Sequence, residues 1–224
     1  MKRIVLFVEG EGEADAVPRL VKRLLTEQNA WDVVYLDDRP FRVGQVQKLL
    51  KESCGEWNRK LAASLKRRDV GGVLLLLDGD ITRIGSEMFC AAETAKVLAR
   101  VAAKIGGGKT FSVAVVFARQ EYETWFIAGI QSLAGRHLPD GRVIDPSATA
   151  PGGDLEENPR NAKGWLSQVI QGGYKPTRDQ ATLSDMIDLQ QVRVRQLRSF
   201  HRLESAISEL VSAIRSEKHI TTPC

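Results

Sequence analysis

The run Val73-Leu74-Leu75-Leu76-Leu77 is the most apolar stretch of the 224-residue chain, and it stops abruptly at Asp78-Gly79-Asp80. An uninterrupted apolar run of strand length suits a parallel strand whose sheet is covered by helices on both faces. Ile4-Val5-Leu6-Phe7-Val8 is a second such run, and it ends at Glu9-Gly10-Glu11-Gly12-Glu13. In open parallel sheets, sites form beyond the carboxyl ends of the strands. The two acidic clusters are therefore expected at the same edge of one sheet, and they converge if the two strands are neighbours.

Four strands are expected, over residues 3–8, 32–37, 71–77 and 111–118. Apolar residues at steps of three and four fill the intervals: Val17 to Leu25, Val43 to Leu65 as one long amphipathic helix, and Ala92 to Ile105. Strand and helix in alternation predict a Rossmann-like α/β fold with a parallel sheet and right-handed crossovers. At 43% hydrophobic, the chain can bury one sizeable core, alone or with an appendage. The expected division is an α/β core over residues 1–130 and a loop and helical extension over 131–224, packed on that core. A stretch near 135–162, rich in Pro, Gly, Asp and Asn, reads as a long functional or mobile loop. Phe200, Leu203, Ile207, Leu210 and Ile214 mark a final helix, and His219 to Cys224 reads as a frayed tail.

In a nucleotide-binding fold, the turn after the first strand carries glycines so that backbone N–H groups approach a pyrophosphate. Here Glu9, Glu11 and Glu13 stand among the glycines. They repel a bare phosphate, but suit one that a hard divalent cation bridges. The other reading of the second cluster is a helix cap at Asp80 and a solvated turn at Asp78. Glu121 and Glu123 follow the fourth strand and reach the same sheet edge. They share a side if extended and diverge in a helix, so at least one is expected to join the acids. The alternative is a helix N-terminus whose dipole favours acids.

Cys54, Cys90 and Cys224 are odd in number and lack CxxC spacing, which points to reduced thiols rather than a disulfide framework or zinc site. With His137, His201 and His219 scattered, oxygen ligands are left, and these favour Mg²⁺ or Mn²⁺. The apolar runs are too short to span a bilayer, and Met1-Lys2-Arg3 leads straight into a strand, so a soluble, cytoplasmic protein is expected. Gly106-Gly107-Gly108-Lys109-Thr110 superficially matches a phosphate loop, but a helix precedes it and a strand follows, so it reads as a helix C-cap.

The formal net charge is only +4. From Arg160 to Arg202, however, eight basic residues face only Asp179, Asp185 and Asp188. Arg195, Arg198 and Arg202 are expected on one helical face, where such a stripe can track the phosphate backbone of DNA or RNA; a solvated face is the plainer explanation. Lys175, between Tyr174 and Pro176, is the basic residue expected to enter the acidic site. Asp78-Gly79-Asp80-Ile81-Thr82 also fits the DxDxT motif of haloacid-dehalogenase-type phosphatases, although that family needs it on the first strand.

Strand-VEGEGE-helix followed by strand-DGD resembles the TOPRIM domain of topoisomerases, DnaG-type primases and OLD-type nucleases, over about residues 1–130. The Glu9 and Glu13 spacing is closest to the VEGxTE form of the OLD-type proteins, with Gly12 in place of their Thr. Glu121-x-Glu123-x-Trp125, Tyr174-Lys175 and Ser199-Phe200 are similar to the uncharacterised bacterial DUF4276 family. The resemblance implies a TOPRIM-type nuclease or nicking enzyme that cuts nucleic-acid phosphodiesters, in a bacterial defence or DNA-processing system with an ATPase partner. It further implies that Glu9, Asp78 and Asp80 hold Mg²⁺ or Mn²⁺, with Glu13 a second ligand or the general base. Lys175 is the expected source of positive charge for the transition state. A non-catalytic, metal-stabilised adaptor that binds nucleic acid or an ATPase carries every one of these motifs as well.

Overall fold

The computed structural model describes residues 1–223, and it is a mixed α/β fold built on a parallel sheet. The strands are β1 (Lys2–Val8), β2 (Val34–Leu36), β3 (Phe41–Arg42), β4 (Val70–Asp78), β7 (Ser112–Ala118) and β8 (Thr221–Thr222). Their order is β2-β1-β4-β7-β8, with β3 continuing along β1 beyond β2. A separate two-stranded hairpin, β5 (Arg83–Ile84) and β6 (Glu87–Met88), projects after β4. The helices are α1 (Glu11–Glu27), α2 (Val46–Leu50), α3 (Gly55–Ser64), α4 (Ala91–Ala103), α5 (Glu123–Ala128), α6 (Ala162–Val169), α7 (Ala181–Met186), α8 (Leu189–Val194) and α9 (Arg198–Arg215).

Alternate residues of each central strand feed two cores, as the two-residue period of a strand requires. Ile4, Leu6, Val8, Leu74, Leu76, Ala114 and Val116 pack with residues of α1, α5 and α9. Val5, Phe7, Val73, Leu75, Val113 and Val115 face α3 and α4 on the other side. Two-sided burial is why these strands read as continuous apolar runs. The first core runs on through Leu166, Leu183, Phe200, Leu203 and Leu210, so it is continuous across residue 130. Among the described residues, no helix is long and apolar enough to cross a membrane.

Three expectations are corrected. The strand expected over 32–37 is present but shorter, Val34–Leu36, and a second short strand, Phe41–Arg42, meets β1 again after a turn at Asp37, whose buried carboxylate pairs with Arg3 at 2.9 Å and with Arg67. The helix expected from Val43 to Leu65 is broken by Glu52, Ser53 and Cys54, all with positive φ near 50–65°. Its apolar spacing marked the buried face but not the break, which coincides with the seating of Trp57. That indole packs edge-on against Phe7 at 5.1 Å and donates to the Leu98 carbonyl at 3.0 Å. The tail expected to fray instead places Thr221 and Thr222 beside Val113 and Ala114, covering the edge of β7; Cys224 lies outside the described residues.

Candidate metal centre

The chain runs from β1 to β2 on one side and from β4 to β7 on the other, so a topological switch point falls between β1 and β4. Crevices at the carboxyl ends of strands at such a point are where open α/β sheets bind ligands. Glu9, Asp78 and Glu121 stand at or just beyond the carboxyl ends of β1, β4 and β7, three adjacent strands.

Each carboxylate is fixed by its neighbours. Glu9 accepts the Asp78 amide at 3.3 Å, which ties the ends of β1 and β4 together. Asp78 Oδ1 accepts the Tyr122 amide at 2.9 Å, while the Gly79 amide donates to the carbonyls of Ala118 and Gln120. Glu121 accepts the amides of Ala162 and Lys163 at 3.0 and 3.4 Å, and so caps the first turn of α6. Glu123, with no exposed surface, accepts the Tyr174 hydroxyl at 2.8 Å and the Gln180 amide at 3.3 Å on Oε1. Its Oε2 is buried without a hydrogen-bond donor.

Oxygens of Asp78, Glu121 and Glu123 all lie within 4.8 Å of one another. The Lys163 ammonium enters this group, 2.6 Å from Glu121 Oε1, 3.5 Å from Glu123 Oε2 and 3.6 Å from Asp78 Oδ2. Burial still dominates the electrostatics of Glu9, Asp78 and Glu123. It pushes Glu9 up to about 7, with Asp80 and Glu13 adding repulsion. Burial likewise raises Glu123 to about 7, against the pull of Lys163. Asp78 is held well above the ordinary aspartate range by burial and then by Glu123. Burial opposes the charge on Lys163, but Glu123, Asp78 and Glu121 outweigh it and keep the ammonium protonated.

Both glutamates of the Glu121-x-Glu123 pair reach the cluster, because Glu121 precedes α5 and Glu123 begins it. Asp80 is exposed at the rim, beyond the three-carboxylate group. Glu13 is buried behind it. Its Oε2 accepts the Gly10 amide at 3.0 Å, and Gln180 Nε2 lies 3.3 Å from its Oε1 and from Glu123. Since Gly10 has no side chain, only the Glu half of a capping box is made at the start of α1.

Lys175 does not enter the site. It is extended at the start of the π-turn Pro176–Gln180, so its exposed side chain lies opposite that of Tyr174, which does reach Glu123. Lys163 stands where Lys175 was expected. Sequence reading missed Lys163, Tyr174 and Gln180 as site residues, because their proximity depends on how residues 129–180 pack back onto β7. The nearest signal was Asn161, which caps α6 through the Gly164 amide at 2.7 Å and so marks a helix start beside Lys163.

The expected arginine stripe is also corrected. Gln196, at a φ of 52°, separates α8 from α9, so Arg195 is not on the helix of Arg198 and Arg202. Arg195 donates to the Pro151 carbonyl at 2.7 Å, and Arg202 to Glu209 and Thr222 at 2.7 and 2.6 Å. Arg198 is 83% exposed and lies 3.3 Å from Glu156. Beside Asp80, a cavity of about 180 Å³ is lined by Thr82, Phe89, Arg119 and Arg160, and Arg119 is oriented by a 2.8 Å bond to the Gly79 carbonyl.

Gly12, at the Thr position of the OLD-type motif, is explained by packing. A Cβ there would lie 2.3 Å from Gln180 Oε1 and 2.8 Å from Pro176 Cβ.

No curated protein and no solved structure matches the chain significantly. The family model described as a domain of unknown function, DUF4276, matches residues 8–208, and the chain belongs to that family.

Proposed function

We propose that this protein is a TOPRIM-type, Mg²⁺- or Mn²⁺-dependent phosphodiesterase that cuts or nicks nucleic acid. The observation that carries the reading is the meeting of Asp78, Glu121 and Glu123 at the ends of two adjacent parallel strands, with Glu9 at the end of a third and a buried Glu123 Oε2 that no hydrogen-bond donor reaches. An all-oxygen donor set suits Mg²⁺ or Mn²⁺. Such an ion, when bound, supplies an activated water and charge stabilisation for a leaving oxygen.

Glu9, Asp78 and Asp80 are the proposed ligands, with Glu121 and Glu123 closing the site from the β7 side. Both Glu13 oxygens are engaged, by Gly10 and by Gln180, which favours an orienting role over proton abstraction. Lys163 offers a fixed positive charge toward a phosphate, the role expected of Lys175. Arg119 and Arg160 border Asp80, so a nucleic-acid strand entering along that cavity meets phosphate-binding groups beside the acids.

A second reading has its own support. Lys163 already neutralises part of the cluster, and a carboxylate group held by an internal lysine suits a non-catalytic adaptor for nucleic acid or an ATPase.

Incubation of single- and double-stranded DNA and RNA with Mn²⁺ or Mg²⁺, alone and with the neighbouring ATPase if one exists, tests the two. Cleavage lost in Asp78→Asn but kept in Glu11→Gln supports the enzyme, since Glu11 is exposed and pairs with Arg42 at 3.7 Å, away from the acidic cluster. Metal binding without cleavage in any condition supports the adaptor.

A further inference from the structure

We infer that the Lys163 ammonium is a built-in cation filling one of two cation positions in the carboxylate cluster, which leaves a single exchangeable Mg²⁺ or Mn²⁺ on the side of Glu9, Asp78 and Asp80. This rests on the metal-dependent reading above and specifies its ion count. Two-metal phosphodiesterase sites space their ions about 3.5–4 Å apart and share a carboxylate between them. The three acids that could hold a second ion are Asp78, Glu121 and Glu123. These same three surround Lys163 Nζ, at 3.6, 2.6 and 3.5 Å. Ligand oxygens stand about 2.0–2.6 Å from Mg²⁺ or Ca²⁺-sized ions, so ion and ammonium cannot share that position.

The lysine is also anchored. Glu121 binds its ammonium, its own amide and the Ala162 amide, so the carboxylate that holds the charge also holds the start of α6. An ammonium that swung away would leave Glu123, fully buried, with Oε2 facing no cation. The opposite side differs: among the described residues Lys163 forms ion pairs with Asp78, Glu121 and Glu123, and none with Glu9 or Asp80. Asp78 thus stands between the Lys163 ammonium at 3.6 Å on one side and Glu9, which accepts its amide at 3.3 Å, on the other.

The readouts are ions bound per chain, from calorimetric titration with Mn²⁺, and the electron paramagnetic resonance of bound Mn²⁺. Wild-type protein is expected to bind one Mn²⁺ with the spectrum of an isolated ion. Lys163→Met is expected to bind two, with the spin-coupled spectrum of a close pair, and Lys163→Arg to remain at one. If Lys163→Met does not fold alone, Lys163→Gln refolded in Mn²⁺ is counted instead, with two ions expected. Two ions in the wild type overturn the inference while leaving the metal-dependent reading intact. One ion in both wild type and the lysine-free variant does the same. No Mn²⁺ bound by any variant overturns the inference and that reading together.

Discussion

The backbone amide of Tyr122 donates to Asp78 Oδ1 at 2.9 Å, so the turn after β7 orients the carboxylate at the end of β4. Two segments 44 residues apart in sequence are thereby locked into one acidic surface. That bond suggests how to remove charge without disturbing shape.

Asp78→Asn keeps an oxygen for the Tyr122 amide and removes one of several mutually repelling carboxylates. The metal-free variant is expected to melt no lower than wild type. Millimolar Mn²⁺ should raise the wild-type midpoint through binding to the native state, and this rise should vanish in the variant. Thermal unfolding with and without Mn²⁺ measures both. An equal rise in the two proteins would place the ion elsewhere.

The metal-free protein should lose stability as pH rises. Glu9 and Glu123 have folded values near 7 against an ordinary 4.5, so folding favours their protonated forms. Their contribution is fully present below pH 4.5 and is lost as pH climbs through 7. Melting midpoints across that window should fall in wild type and fall less in Glu9→Gln. Added Mn²⁺ should flatten the profile by stabilising the ionised forms, with protons released on binding at about pH 6.5.

Tyr174→Phe deletes the hydroxyl that donates to the buried Glu123 at 2.8 Å. Leaving a buried carboxylate short of a donor costs about 1–3 kcal/mol. For a chain of this size, that lowers the midpoint by about 2–4 °C per kcal/mol. Calorimetry should show the loss, and Mn²⁺ should recover part of it. An unchanged midpoint would mean that Glu123 does not depend on Tyr174.

Gly12→Ala is expected to destabilise by about 1–3 kcal/mol, the usual cost of overpacking. Its new methyl group meets Gln180 Oε1 and Pro176. Gln180→Ala in the same chain should recover part of the loss but not all, because the clash with Pro176 persists. A double-mutant cycle in urea measures the coupling.

Arg119→Gln with Arg160→Gln should weaken oligonucleotide binding and flatten its salt dependence by about 0.7–0.9 for each phosphate no longer neutralised. Arg195→Gln with Arg202→Gln should leave that slope unchanged, since both side chains are spent on internal bonds. Fluorescence anisotropy from low to moderate salt, with metal omitted, measures binding apart from cleavage. The reverse pattern would restore the C-terminal helices as the nucleic-acid surface.

Much of this was legible in the sequence because it is written in local patterns. Val73 to Leu77 and Ile4 to Val8 specify parallel strands by their apolar continuity, and each run's end marks the sheet edge where Glu9 and Asp78 stand. The same logic placed Glu121 and Glu123 at that edge without choosing between them, and tertiary packing kept both. Local pattern could not see the break at Glu52 to Cys54, because the buried face keeps its spacing on either side of it. Nor could it see the capture of Thr221 and Thr222 by β7, since an edge strand is chosen by the partner that needs covering. Lys163 is the sharpest case. Its neighbours in sequence mark a helix start but not an approach to the acids, and only the packing of residues 129–180 onto the carboxyl end of the sheet puts one ammonium among three carboxylates and leaves Lys175 exposed. Strands and their acidic ends follow from hydrophobic patterning along the chain; which cation meets those acids is a long-range contact, and only the folded chain decides it.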